Sequence, residues 1–415
     1  MNILKISAAK FYAILDDPQS LVPVAMRDVV NSIGMTTASS VTGKEEGQDR
    51  FIDEFGTQAI WLWGIPLYKK LFDLTAFKAF GLDSKFDVRN LKNDNKDIFK
   101  KIKMKSQSDL SHQDIAANIT KISQKQKLFK SLAISKFVIS TAMTVGSYYG
   151  LTKYKQKFTE NNVRKNLLKE SEKVKNPTFK AKMPTYIENF AFNPVDNMKI
   201  VDVAITGNRL SSSRNKQEFT GYLLKESTFL FFMYFASDKI RAFLEKKIKK
   251  QFNKSIELNA KVLESDGFKK AFQNGSIQKD LNMFFKQKEN VQIYDFLHDH
   301  SDNWVVKASK QADIIQTYKG SDKIDPRSYI DISKVKDSAN QIKKLYEEFR
   351  NGSQTIDEFF NQTRKLKRKS ILHNTLACIL AMGVILPGTM LLQRYLSKDT
   401  EFGVKQQIRA ELGIV

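Results

Sequence analysis

The chain has 415 residues, with 68 Lys or Arg against 45 Asp or Glu, a net charge of +23 and a mean hydropathy of −0.40. That length permits two or three domains, and the low hydropathy puts most of the mass in water. One cysteine, Cys378, rules out an internal disulfide framework and a cysteine-based zinc site. Positive charge draws a protein to anionic lipid or nucleic acid, but Lys dominance favours diffuse attraction over the Arg forks that read bases.

Charge is uneven along the chain. Residues 1–55 carry eight acidic and five basic side chains, whereas 75–131 and 152–221 each net +7 and 238–370 nets +9. The opening MNILKISAAKFYAILDD makes no convincing secretory signal, because Lys10 interrupts the apolar stretch before it reaches the usual length and Asp16 and Asp17 follow. Turn and small-residue signals at Asp17-Pro18, Ser32 to Gly34 and Thr36 to Ser40 predict short helices and loops through the acidic segment 1–50.

Over 51–82, Trp61, Trp63 and Tyr68 surround a Gly-Ile-Pro break. About a dozen apolar residues precede Lys69, which is short for a span and fits a re-entrant or interfacial segment, with a buried aromatic helix as the alternative. Polar residues 83–110 predict a linker or exposed helix. Ser111 and Asp114 resemble a capping box, and the absence of Pro or Gly before Gly146 predicts one helix over about 112–157 whose second half, 132–151, is a membrane helix. On it Ala142, Gly146 and Gly150 form a small-residue line that allows close helix packing.

Three prolines and the Gly207-Asn208 signal predict an irregular region over 158–219, with a short strand at Lys199 to Ile205. Segment 220–237 contains YLLKESTFLFFMYFA. Its apolar gain and the cost of Lys225 and Glu226 nearly cancel, so it spans only if both polar residues find partners. They cannot satisfy each other by facing across a helix, because neighbours in sequence point different ways. Next, Ile240, Leu244, Ile248, Phe252 and Ile256 repeat every four residues beside Lys246, Lys247, Lys249 and Lys250. That pattern suits a basic amphipathic helix on an anionic membrane, or equally a helix packed on its own domain.

The rest of the basic region 238–370 reads as helices broken at Asn274-Gly275, Lys319-Gly320 and Asp325-Pro326. Ile332, Val335, Ala339, Ile342, Tyr346 and Phe349 form a seam too short for an independent zipper. Thr355 and Glu358 make a capping box that launches a helix through Arg364, Lys365, Lys367, Arg368 and Lys369 into the apolar stretch 371–396, followed by a tail, 397–415. From Ile371 to Leu392 no residue is charged, and ten are Ile, Leu or Val. A run of that length matches the roughly 30 Å hydrocarbon core of a bilayer. Pro387-Gly388 should kink its far end.

No phosphate loop, dinucleotide fingerprint, zincin motif or nucleophile elbow occurs, so no enzymatic activity and no cofactor is expected. The weak metal candidate is His298 and His300, with Asp295, Asp299 and Asp302 beside them. The predicted protein is all-α: a multi-pass helical integral membrane protein with two to four hydrophobic helices and a large basic helical region, expected in a bacterial cytoplasmic membrane. Its expected partners are the lipid bilayer, anionic head groups met by the two lysine and arginine clusters, and a membrane protein partner or a second copy. The leading role is structural or interaction, a membrane-anchored scaffold. A transporter or channel component, with Lys225, Glu226 and His373 along its path, is the alternative, and a soluble nucleic-acid binder is the third reading.

Overall fold

A computed structural model describes residues 8–16, 20–108, 113–168, 194–214, 216–318, 321–397 and 403–413. Among them the fold is all-helical, with one isolated antiparallel bridge between Thr317 and Ile324. The chain divides into two compact units. Unit 1 comprises 1–20, 73–133 and 240–374, and unit 2 comprises 21–72, 134–239 and 375–415. The basic region 238–370 therefore gathers 73–133 into the same unit.

Unit 1 is a helical body with an aromatic interior. Helix Lys96–Ser108 buries Ile98, Phe99 and Ile102, so the described part of the segment expected as a linker or exposed helix, 83–108, is packed. Phe268, Phe272 and Phe360 meet at ring separations of 5.0 to 6.1 Å, edge to face, the geometry aromatic quadrupoles favour. The seam residues Ile332, Val335, Ala339, Ile342 and Tyr346 are buried on helix Ile332–Arg350, which packs on helices Ser276–Phe285, Asn290–Asp299 and Trp304–Gln311. The seam thus serves the interior of the chain. Gly275 occupies the left-handed region at φ 73°, which glycine adopts without a Cβ clash and which sets the predicted turn. Thr355 and Glu358 close the reciprocal cap, with Thr355 N donating to Glu358 Oε2 at 3.0 Å and Glu358 N to Thr355 Oγ1 at 3.3 Å.

Unit 2 departs further from expectation. The predicted short helices and loops of the acidic segment include one 22-residue helix, Leu21–Thr42. Its Ser and Gly residues are a packing face: Ser32 and Ser39 are buried, and a Cβ on Gly34 would collide with the carbonyl of Gly383 and with Pro387. Small side chains let two backbones approach there. The predicted strand at 199–205 is instead part of helix Pro194–Ser211, because Met198, Val201 and Ile205 bury at helical spacing beside Trp61, Tyr148 and Phe229. The irregular reading of 158–219 fails at both ends, since helix Gln126–Leu168 runs on past 157; residues 169–193 lie outside the described residues. That helix is separated by a turn at Lys125 from helix Gln113–Gln124, so the single helix over 112–157 is two. The candidate cap at Ser111 lies outside the described residues.

Two prolines shape their helices in the same way. Each removes an N–H and pushes its ring at the carbonyl four residues earlier. That carbonyl belongs to Leu62 for Pro66 and to Gly383 for Pro387, and each lies in a widened π-helical turn, Ile60–Gly64 and Ala381–Ile385. The predicted break and kink are these turns.

Candidate functional site

Three helices of unit 2 turn their polar faces inward. On Lys44–Ala59 the residues Glu46, Asp49, Asp53 and Thr57 recur every three or four positions and, with Glu54, are buried, while Phe51 is 53% exposed. On Gln126–Leu168 the buried row is Thr144, Tyr148, Thr152, Lys155 and Thr159, and Ile139, Met143 and Tyr149 face out. On Lys216–Phe231 Lys225 and Glu226 are 1% and 2% exposed while Leu223 is 48% exposed. A helix in water does the reverse.

The inward side chains form one network. Lys225 Nζ lies 2.6 Å from Glu54 Oε1 and 3.1 Å from Glu226 Oε1. Arg209, from helix Pro194–Ser211, pairs with Glu226, approaches Asp53 Oδ2 at 3.3 Å and donates through Nε to Tyr148 Oη at 2.7 Å. Lys155 Nζ donates to Tyr222 Oη at 2.7 Å and stands 3.6 Å from Asp49 and 3.7 Å from Asp53. Arg214 closes the end, 3.2 Å from Asp49 and 2.8 Å from Glu218. Burying charge this way is costly unless each ion keeps a partner, and every cation here has at least one. Lys225 and Glu226 thus gain separate partners, as their placement requires, and also touch each other.

Beside the network is a cavity of about 20 Å³, room for one water, lined by Asp28, Glu54, Asp202, Arg209, Lys225 and Glu226 among others. Asp28 accepts from Trp61 Nε1 at 2.8 Å, and Asp202 accepts from Tyr234 Oη. Asp49, Asp53, Lys155, Arg209 and Arg214 belong to the network without being expected from the sequence. The signal was present: acidic residues at helical spacing in a segment whose other face carries Phe51 and Phe55.

The other predicted site residues are distributed as follows. Ala142, Gly146 and Gly150 are exposed, and a Cβ on either glycine meets nothing within 4 Å, so this line packs no described helix. The close approach is at Gly34 and Gly383 instead. His373 is exposed in unit 1 and is no member of the network. In the second basic cluster, Arg364 donates to the Leu263 carbonyl at 2.7 Å, Lys367 is buried 3.1 Å from Asp16, and Arg368 grips Glu264 at 2.7 and 2.6 Å. These three have partners within their own unit, while Lys365 and Lys369 face outward. Lys249 pairs with Glu348, leaving Lys246, Lys247 and Lys250 on the exposed face of helix Ser237–Phe252 with Phe243, itself 65% exposed. Ile248 packs with Leu366 and Ile256, so this helix is seated on its own unit by one face.

His298 and His300 are not assembled into a metal site, and no group of potential ligands gathers among the described residues. His300 Nδ1 meets the Phe296 carbonyl at 3.3 Å, and the neighbouring Asp295 and Asp299 are neutralised by Lys101 and Lys105 at 2.7 and 2.8 Å. Burial, with help from the Lys105 charge, lowers the His298 pKa to about 4. No protein-family model matches the chain, and neither a curated protein nor a solved structure does.

Proposed function

We propose that unit 2 sits in a lipid bilayer as a charge-locked helical anchor and that unit 1 is a basic helical domain held at an anionic membrane surface, so that the protein acts as a membrane-anchored scaffold. The observation that carries this reading is the inverted polarity of unit 2, with ions inside and Leu223, Phe235, Val384, Ile385 and Leu392 outside. Two helices, Gln126–Leu167 and Ile356–Leu392, are long and apolar enough to cross a membrane, and only 28% of the most apolar window of each is buried. A core helix of a soluble protein buries most of that window. Lipid provides the missing apolar solvent, and a polar interior then supplies the helix-to-helix attraction that the hydrophobic effect no longer gives.

Paired ions and a cavity the size of one water suit a lock better than a solute path. On unit 1, Lys246, Lys247 and Lys250 surround Phe243 on one helix face, an arrangement that combines attraction to anionic head groups with an apolar residue for the interface. Alkaline carbonate extraction of membranes expressing the full chain tests the anchor. Retention in the pellet is expected, and release into the supernatant as a monodisperse protein without detergent would overturn it.

A further inference from the structure

Six ionisable side chains line the small cavity of unit 2, and their charges do not balance. Four are carboxylates, Asp28, Glu54, Asp202 and Glu226, and two are cations, Arg209 and Lys225. Both cations are already committed: Lys225 to Glu54 and Glu226, Arg209 to Glu226 and Asp53. Asp28, 7% exposed, and the partly buried Asp202 form no ion pair among the described residues. Each instead accepts a hydrogen bond from a neutral donor, Trp61 or Tyr234. Arg27, next to Asp28 in sequence, does not cancel the deficit at the cavity, because it is directed to the Met233 carbonyl at 3.2 Å and Ser237 Oγ at 2.8 Å.

An uncompensated carboxylate in an apolar surround is far costlier than a neutral carboxylic acid. The cavity admits nothing larger than a water, and no metal-ligating group of residues exists among those described, which leaves the smallest cation. We propose that Asp28 and Asp202 form a proton-binding site, at which a carboxylate oxygen takes one proton from water and releases it again with no other bond made or broken. The charged and titratable groups facing the pair are Glu54, Arg209, Lys225, Glu226 and Tyr234, with Lys199 placed 5.9 Å from the Tyr234 ring. Because Asp28 is carried by helix Leu21–Thr42 and Asp202 by helix Pro194–Ser211, proton uptake changes the repulsion between those two helices.

The inference deepens the membrane reading, which supplies the apolar surround, but its test stands apart. Carbonate extraction reports where unit 2 sits, whereas infrared difference spectroscopy of purified full-length protein reports protonation wherever it sits. A protonated-carboxyl C=O band is expected at neutral pH and is lost on raising the pH. Asp28→Asn and Asp202→Asn should each diminish it and the double variant abolish it, with Glu411→Gln, a carboxylate that pairs with Arg164 and does not line the cavity, leaving it in place. A wild-type spectrum with no such band, or a band unchanged in the double variant, overturns the proposal. Should the Asn variants fail to fold, the indole that donates to Asp28 serves as reporter: in a Trp63→Phe, Trp304→Phe background, Trp61 emission must shift with the same pH dependence as the band. Emission independent of pH would overturn the site equally.

Discussion

Lys225 and Glu54 meet at 2.6 Å between two helices that bury these ions while exposing apolar side chains, Leu223 on one and Phe51 on the other. Removing Lys225 leaves the buried Glu54 to the more distant Arg50, at 3.6 Å, so Lys225→Ala should cost about 3–5 kcal/mol of stability. Removing both, as Lys225→Met with Glu54→Leu, should cost less than the sum of the single changes. A double-mutant cycle on detergent-solubilised protein measures the coupling, and additive losses would show that the pair is not energetically linked.

Glycine substitutions separate the used from the unused helix face. Gly383→Leu introduces a side chain where even a Cβ meets Val30, and should cost about 1–3 kcal/mol by overpacking. Gly146→Leu adds a side chain in open space and should leave solubilised stability within about 0.5 kcal/mol. Thermal unfolding of the two variants checks the order, and the reverse ranking would mean that the Ala142, Gly146 and Gly150 line is a packing face.

The pH dependence of unit 1 has a definite sign. The His298 pKa is lowered from 6.5 to about 4 by burial first and by Lys105 second, so between those values the unfolded chain holds the proton more tightly. The stabilisation from the neutral ring is complete above pH 6.5 and is lost as pH falls through about 4, on the order of 3 kcal/mol in all. Denaturant titrations across that range, with His298→Phe compared, should show a pH slope in the wild type that the variant lacks. An equal slope in both would assign it elsewhere.

Lipid charge should govern how deeply the Phe243 face sits at the membrane. With about 1 kcal/mol per exposed lysine near an anionic surface, Lys246, Lys247 and Lys250 together supply on the order of 3 kcal/mol. A label at Phe243→Cys, in a Cys378→Ala background, should read as immersed in nanodiscs containing anionic lipid and as water-exposed in neutral ones or at high salt. The triple change to Glu should abolish the difference, and immersion indifferent to lipid charge would contradict the role.

Helix content was legible because periodicity and capping are local. Thr355 with Glu358 and the seam from Ile332 to Tyr346 needed no tertiary information. The strand expected at Lys199 to Ile205 failed because β-branched residues at 200, 201, 203 and 205 score for a strand, while Met198, Val201 and Ile205 find a helical partner surface. Lys225 and Glu226 were recognisable as needing partners, but Glu54 and Arg209 were not recognisable as those partners. An acidic stripe such as Glu46, Asp49 and Asp53 normally marks a solvated face, and only the placement of Phe51 outside inverts that reading. Arg364, Lys367 and Arg368 misled in the opposite sense. A basic cluster before an apolar run suggests head-group contact, yet Asp16 and Glu264 claim two of the three.

The outward apolar surface of unit 2 is proposed to contact lipid. Nitroxide labels at Ile139→Cys and Val384→Cys, positions 44% and 61% exposed, placed in a Cys378→Ala background and reconstituted in bilayers, measure it directly. High collision rates with oxygen and low rates with a water-soluble nickel chelate are expected at both positions. High nickel-chelate accessibility at both would place that surface in water and contradict the contact with lipid.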